Sequence, residues 1–378
     1  MMENNPLKVH WVIKPRDVSG NSLGYMTHNQ HLYDYCKNFG IEYDDEAKIA
    51  FHIVSADNFR PIAGKYNVLL TMWEFLKLPE SYLKAIKNAD ALILPSTFCK
   101  KVFEPHFERK DRVYICREGV VPSEFPYRKR TFRGGSQRFR LLWVGASNPR
   151  KGYLSVLEAV KLCDKVPNLE IYIKTTVPKI TWRQSLRQVR NRWREIAFKD
   201  GHFVGFRRLL LRLPLKMYAG RATVMGANKN VIFDTRKLTR EELRDLYYSA
   251  HCFLFPTIGE GWGLTLCEAM ATGCPAISIS ETGCADFFDA RVGYPIKTNI
   301  WEQTLENYDN LKTGAYVPDT SDMINQIFNV VNDYDSAARR AKRGSDRIHA
   351  KLTWELAGKR LAEIFKEVAK DVDNACIR

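Results

Sequence analysis

The chain has 378 residues, of which 45% are hydrophobic and 27% charged. That is the make-up of a globular enzyme, and it excludes an intrinsically disordered chain. The formal net charge is +15, so acidic partners are expected: nucleotide phosphates, nucleic acid or an anionic membrane surface.

The length favours two domains. In chain order, LKVHWVIK (7–14) predicts a first strand, and a glycine-containing loop and a helix follow, ending at Gly40. Short β-rich runs recur at 48–54, 66–72, 89–96 and 111–119, with helical patterns such as PESYLKAIKN and TFCKKVFEPHF between some of them. Strands alternating with helices predict a parallel sheet covered on both faces. The basic segment 127–140 carries Gly134-Gly135 and no apolar periodicity, which predicts a linker. The alternation then restarts. Strands are expected at 139–147, 169–176, 230–235, 252–257 and 275–280, and helices at 151–163, 239–251 and 264–273. Residues 335–372 predict further helix. The expected fold is α/β, two Rossmann-like doubly wound domains facing a cleft. Residues 1–130 form the first and 131–350 the second, and a helix in 351–378 packs back on the first.

No stretch reaches the roughly eighteen uncharged apolar residues of a membrane span. The N-terminal run MMENNPLKVHWVIKP lacks the basic start and apolar core of a signal peptide. The nine cysteines are scattered and form no C-x-x-C pair. They predict buried thiols in a reducing, cytoplasmic setting, and neither a disulfide framework nor a zinc site.

The most informative stretch is FPTIGEGWGLTLCEAMATGCPAISIS, residues 255–280. A buried strand hands over to a helix through a glycine-rich turn, and Gly273 with Pro275 stops the helix. Ligands of doubly wound sheets bind outside the carboxyl ends of strands. A helix N-terminus there offers free N–H groups to a phosphate. Glu260 stands in the turn and Glu268 about two helical turns later. That spacing lets both carboxylates face one crevice at different depths, as acceptors for sugar hydroxyls. The plain alternative is a favourable helix start at Glu260 and a solvated helix residue at Glu268.

Glu260 and Glu268 in EGWGLTLCEAMATGCPAI resemble the E-x7-E motif of retaining GT-B glycosyltransferases, in particular glycosyltransferase family 4. VGASNPRKGYLSVLEAV, LTREELRDLYYSAHCFLFPT, ADALILPSTFCKKVF and EGVVPSEF resemble further segments of that family in the same order. The resemblance implies transfer of a sugar from a nucleoside-diphosphate sugar, a UDP- or GDP-sugar foremost, to a glycan or glycolipid acceptor with retention of configuration. No metal and no other cofactor is implied. By the same resemblance Glu260 holds hydroxyls of the transferred sugar. The backbone of Trp262, Gly263, Leu264 and Thr265 receives the phosphates, Glu268 takes the ribose, and Lys151 stabilises the leaving diphosphate. Two departures stand out. Gly145-Ala146 replaces the family's Gly-Arg, with Arg150 as a substitute cation, and TMWEF places Trp73 where the family often has a histidine, followed by Glu74. Gly20 and Gly24 lie in a loop expected near the phosphates, or simply form a turn before a helix.

Much of the positive charge sits in one place. Residues 179–221 hold twelve Lys or Arg against Glu195 and Asp200. Trp182, Leu186, Val189, Trp193 and Ile196 recur at helical spacing, bordered by Arg183, Arg187, Arg190 and Arg194. An amphipathic helix of this kind suits the headgroup layer of an anionic membrane. That surface contact, through 182–217, makes the protein peripheral on the inner face. Contact with nucleic acid is the less favoured reading, and an ordinary helix with its arginines in solvent stays open. The function alternatives are a glycosyltransferase acting on modified DNA and a noncatalytic nucleotide- or nucleic-acid-binding protein on the same fold.

Overall fold

A computed structural model describes residues 5–15, 23–164, 166, 168–175, 217–218, 221–224 and 230–375. The basic segment singled out above falls almost wholly outside the described residues, as does Gly20.

The first half builds β1 (Leu7–Trp11), α1 (Leu23–Cys36), β2 (Ile41–Tyr43), β3 (Ile49–Ile53), β4 (Tyr66–Leu70), α2 (Glu80–Ile86), β5 (Ala91–Leu94), α3 (Thr97–Phe103) and β6 (Val113–Ile115). Its six strands run in the order β2-β1-β3-β4-β5-β6, and every neighbouring pair is parallel. β3 and β5 are buried at every position, as expected for parallel strands covered on both faces. β2 escapes the sequence reading because Ile-Glu-Tyr is too short to show a period.

The second half adds β7 (Phe139–Val144), α4 (Tyr153–Val160), β8 (Leu169–Lys174), β9 (Met217–Tyr218), β10 (Arg221–Val224), β11 (Val231–Asp234), α5 (Arg240–Ser249), β12 (Cys252–Phe255), α6 (Leu264–Ala271), β13 (Ala276–Ser278) and β14 (Tyr294–Pro295). The strand order is β14-β13-β12-β7-β8-β11-β10-β9. It is parallel from β14 to β11, and β10 pairs antiparallel with β11 and β9. The chain enters at β7 and passes to β8, forms β9 and β10 at the far edge, returns inward to β11, and then crosses to β12 on the other side of β7. β7 and β12 therefore flank the point where the winding reverses, the usual ligand crevice of such sheets.

After β14 the chain forms a hairpin, β15 (Thr298–Leu305) and β16 (Leu311–Pro318), and then α7 (Thr320–Asn332), α8 (Tyr334–Lys351) and α9 (Trp354–Ala375). The hairpin is mostly exposed along β15, so its sequence lacks the apolar run that marks a core strand. It reaches the first half all the same. Leu76 N–H donates to Gly314 O at 3.2 Å and Lys77 N–H to Thr313 Oγ1 at 3.0 Å. Leu305, Tyr308 and Leu311 pack into the first-half core around Trp73, Tyr82 and Phe103. The helical stretch predicted over 335–372 breaks in two. Asp333 caps α8 by accepting from Ser336 N–H at 3.0 Å. Leu352 and Thr353 leave the helix, and a bridge joins Thr353 to Val120: Val120 N–H donates to Leu352 O at 3.0 Å and Trp354 N–H to Val120 O at 3.1 Å.

Each sheet thus buries a cluster on either face. In the second half, α4 and α7 cover one face and α5, α6 and α8 the other. In the first half, α2, α3 and the hairpin cover one face. α1 and α9 cover the other, where Trp354, Leu361, Phe365 and Val368 meet Trp11 and Phe51. The basic stretch expected as a linker is pinned, not loose. Arg130 is buried and donates to the Tyr247, Tyr248, Ala250 and Thr272 carbonyls at 2.7–3.2 Å. It satisfies the carboxyl ends of α5 and α6, where a cation complements the helix dipole.

The fully buried Phe365, set edge-on to Phe51 with ring centroids 5.2 Å apart, makes the packing of α9 testable. Phe365→Ala is expected to cost about 3–5 kcal/mol of unfolding free energy, read by chemical denaturation. The exposed neighbour change Glu363→Ala is expected to cost less than about 0.5 kcal/mol.

Candidate active site

Glu260 follows β12 and Lys151 follows β7, so the two residues stand on either side of the reversal point. Lys151 Nζ donates to both carboxylate oxygens of Glu260, at 2.7 and 2.8 Å. Arg150 lies 3.6 Å from the same carboxylate, and Thr257 Oγ1 donates to it at 3.2 Å. Burial pushes the Glu260 carboxyl up, but Lys151 and Arg150, with the hydrogen bonds from Lys151 and Thr257, outweigh it. The group is held below its ordinary value and stays ionised although only 5% exposed. Asn148 places Lys151 by accepting its N–H at 2.9 Å, which caps the short turn Pro149–Lys151.

The first half supplies the opposite wall. Glu74 lies 3.3 Å from Arg150, so Arg150 bridges Glu74 and Glu260 across the junction. Arg150 also donates to Gly259 O at 2.9 Å. For Arg150, burial acts against the charge, and Glu74 and Glu260 together reverse this and raise its value. The backbones come close here: a Cβ on Gly259 would sit 2.2 Å from Glu74 O, so only glycine fits. A second tie lies alongside, where Asp286 accepts from Thr97 N–H and Oγ1 and from Arg117 Nε at 2.8–3.2 Å.

Gly263 opens α6 with φ +108, a conformation that L side chains rarely adopt. The N–H groups of Leu264 and Thr265 lie in the first turn, where no earlier helical carbonyl is in reach. Trp262 is 2% exposed and packs on Phe287, and among the described residues its indole N–H has no hydrogen-bond partner. Glu268 is buried further along the helix. It accepts from Arg240 at 2.7 Å and from Tyr247 O–H at 3.0 Å, and Arg240 also reaches Glu124 at 2.9 Å. Burial raises the Glu268 carboxyl above its ordinary value against the pull of Arg240. Among the described residues the two glutamates therefore share no hydrogen-bond or ion-pair partner.

The structure brings Glu74, Arg150, Lys151 and Glu260 together, with Trp262, Gly263, Leu264 and Thr265 in the adjoining turn. Gly24 is exposed in the first turn of α1. The sequence reading missed Thr257, Arg240, Tyr247 and Tyr308. Tyr308 comes from the hairpin and packs against Trp73 with ring centroids 5.1 Å apart. Burial, then Asp57 and Glu74, raise its hydroxyl above the ordinary value. Thr257 stands three residues before Glu260 in the run 255–280, whereas only tertiary folding joins Arg240, Tyr247 and Tyr308 to the E-x7-E motif. Among the described residues, no cluster of three or more His, Cys, Asp or Glu could hold a metal ion. No described helix is long and apolar enough to cross a membrane. The eight described cysteines are buried.

Residues 222–361 match the family model described as Family 4 Glycosyltransferase in conflict systems. No curated protein matches the chain at a significant level. Among solved structures, sucrose-phosphate synthase of Thermosynechococcus elongatus superposes with TM-score 0.59 at 14% identity, over 96% of this chain and 83% of that one. HepE of Anabaena, in complex with UDP-glucose, gives TM-score 0.56 at 11% identity, over 94% and 84%. TarM of S. aureus gives TM-score 0.55 at 14% identity, over 89% of this chain and 58% of that one. The fold is GT-B, and the sequence match agrees with it on a glycosyltransferase similar to family 4.

The ionised Glu260 gives a pH signature. Its folded value lies below the ordinary 4.5, so it contributes stability above about pH 4.5 that is lost as pH falls through the folded value. Glu260→Gln removes that contribution. The gap in unfolding free energy between wild type and variant is expected to shrink as pH drops from about 6 to below about 4. A gap that stays constant over that range would show that Glu260 is not held ionised by its neighbours.

Proposed function

We propose that the protein is a retaining, metal-independent glycosyltransferase that moves a sugar from a nucleoside-diphosphate sugar to a glycan or glycolipid acceptor. The observation that carries this reading is the Glu260–Lys151–Arg150 cluster. It sits at the reversal point of the second sheet, beside the amino end of α6, and faces Glu74 of the first half. The donor lies mostly on residues 131–350, and the acceptor mostly on 1–130. A uridine donor is favoured, because three similar HepE structures were solved with UDP and glucose, UDP-glucose or UDP.

In this reading the diphosphate meets the N–H groups of Trp262, Gly263, Leu264 and Thr265 and the cations Lys151 and Arg150. Glu260 accepts from sugar hydroxyls, and Glu268, oriented by Arg240 and Tyr247, accepts from the ribose. The bond from the anomeric carbon to the phosphate oxygen breaks, and its electron pair leaves with the nucleoside diphosphate. The acceptor oxygen bonds to the same face of that carbon. Its proton passes to the departing phosphate oxygen, which lies nearest on that face. Lys151 and Arg150 are fixed beforehand where negative charge grows, which is where electrostatic stabilisation is worth most. Glu74 holds Arg150 in place and borders the acceptor side. The protein works on the cytoplasmic face, with the basic segment 182–217 resting on the membrane.

Incubation with UDP-, GDP-, ADP- and dTDP-sugars, following nucleotide release, tests this directly. One nucleotide is expected to be released. Glu260→Gln and Lys151→Ala are each expected to lower that turnover by about 10²–10³-fold while the melting transition stays cooperative. Near-normal turnover in either variant would refute the role given to that residue.

A further inference from the structure

Beyond β7 in the second sheet, the carboxyl ends of β8 and β11 hold polar groups that the cluster above does not use. Lys174 closes β8 in register with Val144, and its carbonyl accepts from Gly145 N–H at 3.0 Å. Its ammonium is buried at 7% exposure and donates to two neutral carbonyls, Thr175 O at 3.0 Å and Asp234 O at 3.4 Å. An ammonium carries three N–H donors, and acceptors among the described residues take two of them. The carboxylate of Asp234 is not among its partners, being committed to Arg236 at 2.7 and 3.0 Å and to Tyr172 O–H at 2.6 Å. Beside it, the hydroxyl of Thr175 is buried and has no hydrogen-bond partner among the described residues. A buried hydroxyl left unmet is costly unless a ligand meets it.

We propose that Lys174 and Thr175 read an exocyclic carbonyl of the donor's nucleobase. The inference rests on the donor reading above and extends it along the sheet. Glu260 and Lys151 follow β12 and β7, and Lys174 ends β8; the three strands are consecutive neighbours. Strands lie about 4.8 Å apart, so the Lys174 end is roughly 10 Å from the β12 turn. With the sugar at Glu260 and the diphosphate at α6 and Lys151, the nucleoside is the part that extends toward β8 and β11. The ammonium only donates, so it needs an acceptor. Uracil, thymine and guanine present an exocyclic carbonyl. Adenine presents an amino group, which would set donor against donor.

The test is binding of UDP, dTDP, GDP, ADP and inorganic pyrophosphate to the full chain by calorimetry, for wild type, Lys174→Met and Thr175→Val. Wild type is expected to bind at least one of UDP, dTDP and GDP about ten-fold or more tighter than ADP, the scale of one unmet buried hydrogen bond. Lys174→Met is expected to erase most of that preference, and Thr175→Val part of it, with pyrophosphate affinity unchanged. Thr175→Val is nearly isosteric and carries the test if Lys174→Met does not fold. Equal binding of all four nucleotides by wild type, an unchanged preference in the variants, or a loss that includes pyrophosphate would each overturn the assignment and leave the donor reading intact. Wild type that binds none of the nucleoside diphosphates would overturn the donor reading, and this assignment with it.

Discussion

The site turns on one electrostatic arrangement, the carboxylate of Glu260 held between Lys151 and Arg150. A buried carboxylate is costly to ionise, and two cations beside it offset that cost. Their positions come from topology. One side of the arrangement follows β7 and the other follows β12, which are adjacent in the sheet but more than a hundred residues apart in the chain. Winding the sheet outward and then back is what puts them side by side. Arg150 extends the arrangement to Glu74 and so makes the charge balance of the site depend on both halves being docked.

Several other contacts keep the halves docked. Asp286 caps the start of α3 from the other half, and the hairpin 298–318 lays Tyr308 against Trp73. The chain returns at Val120 and Thr353 to place α9 on the first sheet. These ties surround the Gly259–Glu74 contact, where the backbones approach too closely for a side chain. In the proposed reaction such close docking would serve the chemistry, because preorganised charge does its work only if it does not have to move.

The fold was largely legible in the sequence because parallel βα units write a strong local signal. β3, β5 and β12 are buried on both faces and read as plain apolar runs. β15 and β16 were not legible, since a mostly exposed hairpin that packs through a few side chains has no apolar run. The breaks at Asp333 and Leu352 were hidden inside a helical pattern, and only the capping contact and the pairing with Val120 reveal them. In the site, Glu260 and Lys151 could be found because each sits in a motif with its own glycines. The partners that set their surroundings could not. Arg240 reaches Glu268 from another helix, Tyr308 arrives on the hairpin, and Lys174 looks from sequence like the end of an ordinary strand. Local spacing reports which backbone turns can bind, while the charges that decide what they bind come from elsewhere in the chain.

The most direct test of the central claim is a crystal structure of the protein with the nucleoside diphosphate that it binds. The account predicts the diphosphate within hydrogen-bond distance of Lys151 Nζ and of the N–H groups at Gly263 and Leu264, with Glu260 facing the side where the sugar would attach. A diphosphate bound away from the reversal point between β7 and β12, with the Lys151–Glu260 pair undisturbed, would contradict it.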